Sequence, residues 1–187
     1  MKRVLIANRG EIACRVIRSC RMLGLETVAV YSDADAGAMH VNLADTAVAI
    51  GAPPARDSYL RIDGLLAAAA ASGADAVHPG YGFLSENADF AEAVAAASKT
   101  FIGPSPDSIR DMGDKERARE LARRAKVPIL PGSRRFDIGD DADLASTGDG
   151  IGYPLLVKAS AGGGGIGMRR VDGAAQLVEA VHAAQSM

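Results

Sequence analysis

Tyr153-Pro154-Leu155-Leu156-Val157-Lys158 is an apolar run closed by a lysine, and it leads into Gly162-Gly163-Gly164-Gly165-Ile166-Gly167, five glycines in six positions. Backbone this free of side chains can close its N–H groups around a phosphate, while a lysine on the adjoining strand neutralises charge. The P-loop spacing fails, because Met168-Arg169 follow Gly167 and the lysine precedes the glycines instead. Gly162, Gly164 and Gly167 satisfy G-x-G-x-x-G, but any glycine run does so, and Met168-Arg169-Arg170-Val171 reads as a strand where that motif needs a helix. After a turn at Asp172-Gly173, the segment Ala174 to Gln185 carries Leu177, Val178 and Val181 at helical spacing. The order strand, glycine loop, strand, helix suits a flap over the phosphates of ATP, carried by an antiparallel hairpin. Ordering the five glycines costs on the order of 5–10 kcal/mol of backbone entropy, so the flap is expected to move when no nucleotide is bound.

Upstream, strands and helices alternate from the start. Val4 to Ala7, Thr27 to Tyr31, Val48 to Ile50, Ala76 to His78 and Thr100 to Ile102 read as strands. Helices are expected at Glu11 to Leu23, Ile62 to Ser72 and Asn87 to Ala97. Such alternation predicts an α/β, doubly wound parallel sheet over residues 1–112, with ligands at the carboxyl ends of its strands. Two of those ends are chemically loaded. Asn8-Arg9-Gly10-Glu11 follows the first strand with a glycine hinge, a cation and an acidic first helical turn. His78-Pro79-Gly80-Tyr81-Gly82-Phe83-Leu84-Ser85-Glu86-Asn87 follows the fourth; its aromatic pair is expected to protrude, and Ser85 to cap the next helix. Either segment could equally be a well-made turn.

Ser105-Pro106 starts a helix that Gly113 interrupts, and Asp114 opens a second one rich in Lys115, Glu116, Arg117, Arg119, Glu120, Arg123 and Arg124. Alternating signs of this kind normally mark a solvated face laced by i,i+4 pairs. Residues 113–129 therefore read as a helical linker, ended by Val127-Pro128, and residues 130–187 as a further partial unit. Asp137 to Asp149 lacks the spacing of a calcium loop and reads as surface loop and cap.

Composition excludes several classes of function. At 187 residues, 48% hydrophobic and 24% charged, the chain has the makeup of a globular protein. A net charge of −2 offers no electrostatic case for nucleic acid or an anionic membrane. Val4 to Ala7 is too short for a signal core or membrane span, so the expected location is the cytoplasm. Cys14 and Cys20 lack C-x-x-C spacing and read as small buried thiols, while His40, His78 and His182 form no metal pattern, so no metal site is expected within the chain. The first βα turn lacks the fingerprint glycines of a dinucleotide-binding dehydrogenase.

Taken together, Ile6 to Ala13, His78 to Asn87, Met112-Gly113-Asp114-Lys115 and Tyr153 to Ser160 with the glycines resemble the biotin carboxylase family along essentially the whole chain. The last segment is shared with carbamoyl-phosphate synthetases and alone says only ATP-grasp; the first two select biotin carboxylase. The resemblance implies a Rossmann-like, pre-ATP-grasp domain followed by the beginning of an ATP-grasp lid. It implies an ATP-dependent ligase that uses MgATP and bicarbonate to make carboxyphosphate, from which CO2 passes to biotin on a carrier protein or domain, with a carboxyltransferase subunit as further partner. On that resemblance Lys115 and Lys158 contact ATP, Gly162, Gly163, Gly164, Gly165 and Gly167 cradle its phosphates, Tyr81 lies near the biotin ring, and Arg15 and Arg18 lie on a homodimer face. Ala161 and Ile166 depart from the family loop, which has glycine and arginine there. Family members continue beyond Met187, and their residues for Mg2+, bicarbonate and biotin deprotonation lie in that later part, so no catalytic residue is expected within this chain and no activity of the chain alone. The competing reading is a non-catalytic nucleotide-binding or dimerisation module derived from that family.

Overall fold

The computed structural model describes residues 1–159 and 167–186. The chain divides into two compact units, Met1–Asp114 and Lys115–Met187. In the first, strands β1 (Arg3–Ile6), β2 (Glu26–Ser32), β3 (Thr46–Gly51), β4 (Ala76–His78) and β5 (Thr100–Phe101) form one sheet in the order β3-β2-β1-β4-β5, every pair parallel. Its helices are α1 (Gly10–Met22), the short α2 (Met39–Leu43), α3 (Ile62–Ala71), α4 (Ala88–Ala96) and α5 (Pro106–Gly113). The doubly wound α/β fold expected from the sequence is the fold observed.

Strand periodicity explains why both faces of this sheet are covered. Successive side chains on a strand point to opposite faces. Val4 and Ile6 of β1 accordingly pack with Ala13, Ile17 and Cys20 of α1, whereas Leu5 packs with Leu65 and Ala69 of α3 and Phe90 and Val94 of α4. A strand covered on both sides reads as a continuous apolar run, which is what Val4-Leu5-Ile6 is. Cys14 and Cys20 are buried free thiols, as expected. Helix α5 packs through Ile109 on Ala88 and Ala91 of α4, and Arg110 holds Glu92 at 2.8 Å.

Ser105 caps α5 by accepting the Ser108 N–H, but the cap of α4 is Asn87, whose Oδ1 accepts the Phe90 N–H at 2.8 Å. Ser85 does not take the capping role anticipated for it: α4 begins two residues later than that reading required, and the Ser85 N–H closes a turn on the Gly82 carbonyl.

The second unit contains α6 (Lys115–Arg124), α7 (Leu144–Ile151), an antiparallel pair β6 (Leu155–Lys158) and β7 (Met168–Val171), and α8 (Leu177–Gln185). Glu120 pairs with Arg123 and Arg124 along α6, the expected helical ladder. The reading of Asp137 to Asp149 as loop and cap fails at α7. Burial of Leu144 and Gly148 overrides the polar composition: an added Cβ at Gly148 would sit 2.4 Å from the Tyr153 hydroxyl, so only glycine lets α7 approach so closely. His182 and Gln185 of α8 tie down the preceding loop, His182 through Asp141 at 2.9 Å and Gln185 through the carbonyls of Phe136 and Asp137. Among the described residues no helix is long and apolar enough to cross a membrane.

Ile17 is fully buried between α1 and the sheet. Ile17→Ala is expected to lower unfolding free energy by about 3 kcal/mol in urea titrations with unchanged slope, whereas Met22→Ala, at an 82% exposed position of the same helix, should stay within about 0.5 kcal/mol.

Candidate functional site

In the second unit the hairpin turns Lys158 outward by simple alternation. Leu155 and Val157 pack against Leu144, Val171, Leu177 and Val181, so Leu156 and Lys158 face the other way. Across the pair, Leu156 lies opposite Arg170 and Lys158 opposite Met168, and the Ala159 N–H donates to the Gly167 carbonyl at 3.1 Å. The outer face therefore combines the Lys158 ammonium with two uncovered apolar side chains, Leu156 at 56% and Met168 at 45% exposure. An apolar platform next to a cation suits a ligand that is flat and uncharged at one end and anionic at the other. Neither Leu156 nor Met168 was singled out by the sequence; the alternation of β6 and its register with β7 are the signals that mark them.

Lys115 opens α6 and is exposed. A helix amino terminus favours anions, so a phosphate near Lys115 would meet both the dipole and the ammonium. Gly167 is the one glycine of the expected cradle that the structure describes, at φ +77 in the turn before β7. Gly162, Gly163, Gly164 and Gly165, the mobility expected of them, and the departures at Ala161 and Ile166 lie outside the described residues. Among the described residues no group of three or more His, Cys, Asp or Glu side chains converges.

In the first unit, the carboxyl edge of the sheet carries a dense polar network. Asn8, just after β1, is buried; its Nδ2 donates to the carbonyls of Pro79 at 2.9 Å and Tyr81 at 3.0 Å, and its Oδ1 accepts the Arg9 N–H. Gly80 is packed so closely on this amide that an added Cβ would lie 2.6 Å from Asn8 Nδ2, and its φ of +70 further favours glycine. The Gly80 N–H donates to His78 Nδ1 at 2.9 Å, which fixes the neutral tautomer protonated on Nε2, and burial pushes the His78 pKa down.

Arg9, which the sequence placed as a cation at the ligand edge, is bound to a carboxylate that sequence reasoning missed. Its Nε and terminal nitrogen grip the two oxygens of Asp35 at 2.6 and 2.5 Å. The hydroxyl of buried Tyr59 donates to Asp35 Oδ2 at 2.6 Å and accepts the Ser32 N–H at 3.0 Å. The Arg9 hydrogen bonds hold Asp35 far below the usual carboxylate range, against the upward push of its own burial and with further help from Tyr59. Arg9 rises above its ordinary value for the reciprocal reason. Burial, then the bond to Asp35, raises Tyr59. Beneath them, His40 donates from Nε2 to the Val30 carbonyl at 3.2 Å and leaves Nδ1 buried without a partner; burial lowers its pKa.

Of the aromatic pair after β4, Tyr81 is 61% exposed and reaches Glu11 at 3.4 Å. Phe83 instead turns back, its ring parallel to Tyr59 at 5.3 Å. Arg15 and Arg18 are both exposed on α1; Arg15 borders a cavity of about 600 Å³ lined by Val4, Ile12, Val16, Leu25 and Ile102, and Arg18 lies outside that lining.

Residues 1–109 match the family described as biotin carboxylase, N-terminal domain, and residues 114–187 the carbamoyl-phosphate synthase L chain, ATP binding domain. The chain is 50% identical over 185 residues to biotin carboxylase 1 of Bacillus subtilis, covering 99% of this chain and 41% of that protein. It is 53% identical over 186 residues to the mitochondrial methylcrotonoyl-CoA carboxylase subunit alpha of Oryza sativa, covering 99% of this chain and 25% of that one. Among solved structures, a biotin carboxylase–βγ-ATP complex from Campylobacter jejuni superposes with a TM-score of 0.91 at 44% identity, covering 99% of this chain and 41% of that one. The biotin carboxylase domain dimer of Hydrogenobacter thermophilus 2-oxoglutarate carboxylase, with MgADP, ADP and bicarbonate, gives 0.88 at 48%, covering 98% and 40%. The chain thus spans between a quarter and about two fifths of the length of these relatives.

Because the Asp35 pKa is depressed in the fold, its contribution to stability is fully present above the unfolded carboxylate value near 4 and fades as pH falls below it toward the folded value. Asp35→Asn is therefore expected to be less stable than the parent by about 2 kcal/mol at pH 7, with the gap narrowing below about pH 4 in parallel urea titrations across pH.

Proposed function

The chain belongs to the biotin carboxylase N-terminal domain family, and from that membership we propose that it forms the amino-terminal part of an ATP-dependent biotin carboxylase and contributes to its nucleotide site. The reaction served is carboxylation of carrier-bound biotin with MgATP and bicarbonate, with a carboxyltransferase as the component that uses the carboxylated carrier. The observation that carries this reading is the outward face of the β6–β7 hairpin, where Lys158 stands opposite Met168 and next to Leu156. In this proposal Met168 and Leu156 take the base of ATP, Lys158 and Lys115 offset charge on its phosphates, and the backbone of Gly162 to Gly167 closes over them. An ammonium about 4 Å from a phosphate oxygen, at an effective dielectric near 20, gains roughly 4 kcal/mol before desolvation is counted. Main-chain donors add stabilisation without side-chain rearrangement as the phosphoryl group transfers. Tyr81, exposed at the carboxyl edge of the first sheet, is assigned to the biotin ring, and Arg15 and Arg18 to a homodimer face.

The alternative is a dimerisation module without chemistry, favoured by the apolar cavity beside α1 and by the exposure of Met22 and Leu23 at the end of that helix. Calorimetric titration with ATP separates the two. Lys158→Ala should weaken ATP binding by about tenfold or more, and Lys158→Arg by less. ATP affinity indifferent to Lys158, combined with a dimer lost on Arg18→Glu, would leave the interaction module as the function. Bicarbonate-dependent ATP hydrolysis by the purified chain is expected to be undetectable, since Mg2+ ligands and the base for biotin are assigned to the remainder of the enzyme.

A further inference from the structure

The loop after β4 is held more firmly than a connection needs to be. Gly80, Gly82 and Phe83 have φ of +70, +69 and +44, so three of the four residues from Gly80 to Phe83 lie in the left-handed region. For Phe83, which carries a Cβ, that conformation is strained and persists only where its surroundings impose it. Those surroundings are on either side of Tyr81. Upstream, Asn8 Nδ2 binds the carbonyls of Pro79 and Tyr81, and the Gly80 N–H is fixed on His78 Nδ1. Downstream, the Phe83 ring stacks on Tyr59 at 5.3 Å with an angle of 4° between planes. Tyr59 cannot yield easily, since it is buried and its hydroxyl is fastened to Asp35 at 2.6 Å. The large side chain of this loop that these anchors leave most exposed is Tyr81, at 61% against 38% for the stacked Phe83.

We propose that Tyr59 and Phe83 are positioning residues for Tyr81: their ring stack clamps the strained loop so that the Tyr81 ring is presented in a fixed orientation to the biotin ring. Neither residue touches biotin. The proposal rests on the assignment of Tyr81 to biotin made above, and it adds a physical reason for the strain at Phe83. A ring already oriented binds its ligand without the entropy loss of ordering the loop.

Two measurements on the same variants test it. Amide hydrogen exchange on the chain reads the clamp directly: Phe83→Leu should accelerate exchange at Gly80 and Ser85, whose N–H groups bond His78 Nδ1 and the Gly82 carbonyl, by about tenfold while β1 stays protected, and Phe83→Tyr should restore the parent rate. In a complete carboxylase carrying this chain as its amino-terminal part, with free biotin as acceptor, Phe83→Leu should raise the KM for biotin about tenfold with the KM for ATP within about twofold, and Phe83→Tyr should rescue it. Tyr59→Leu should reproduce Phe83→Leu in both. Unchanged exchange in Phe83→Leu overturns the clamp. A biotin KM that rises in Tyr81→Ala but not in Phe83→Leu overturns the positioning role. A biotin KM indifferent to Tyr81→Ala removes the biotin assignment instead, and leaves the clamp to stand or fall on the exchange rates.

Discussion

An ionised carboxylate with little water around it holds the upper edge of the first unit together. Asp35 is only 7% exposed, so its charge needs local compensation. That compensation comes from two directions, the Arg9 guanidinium after β1 and the Tyr59 hydroxyl before α3. A fork of two charge-assisted bonds fixes orientation as well as distance. Through Tyr59 the same constraint reaches Phe83, and so the loop after β4. Three strand ends are thereby registered to one another by a single side chain, which is why the loops there can hold unfavourable dihedrals.

The second unit depends on a simpler rule. Period-two alternation buries Leu155 and Val157 and leaves Leu156 and Lys158 outward. The outward face of this hairpin is a by-product of its packing: the residues that anchor the strand determine, by elimination, which ones stay uncovered. No separate device is needed to aim the lysine.

Much of this was legible beforehand. The five parallel strands, the α1 and α3 crossovers and the antiparallel hairpin followed from apolar periodicity, and Lys158 from its place between a buried strand and a glycine run. What was not legible depended on tertiary partners. Asp35 sits in Ser32-Asp33-Ala34-Asp35, a stretch that reads as a polar turn, and only Arg9 and Tyr59, 26 and 24 residues away, give it meaning. Arg9 was visible as a cation but not as a bound one. Helix α7 was hidden because Gly148 and Gly150 disguise it, although Gly148 is there to admit Tyr153. Asn87 rather than Ser85 took the cap because the Gly80 to Phe83 turn consumes the residues before it.

In a doubly wound sheet of order 3-2-1-4-5 the cleft that opens between the first and fourth strands is the customary berth for a nucleotide. Here that berth is already filled: the Asn8 amide lies across it, bonded to two carbonyls of the opposite loop, and Gly80 closes down on it. The Rossmann-like half is thus self-plugged, a ligand-binding architecture whose own side chain plays the ligand. The first unit is thereby a firm mount for whatever its rim displays.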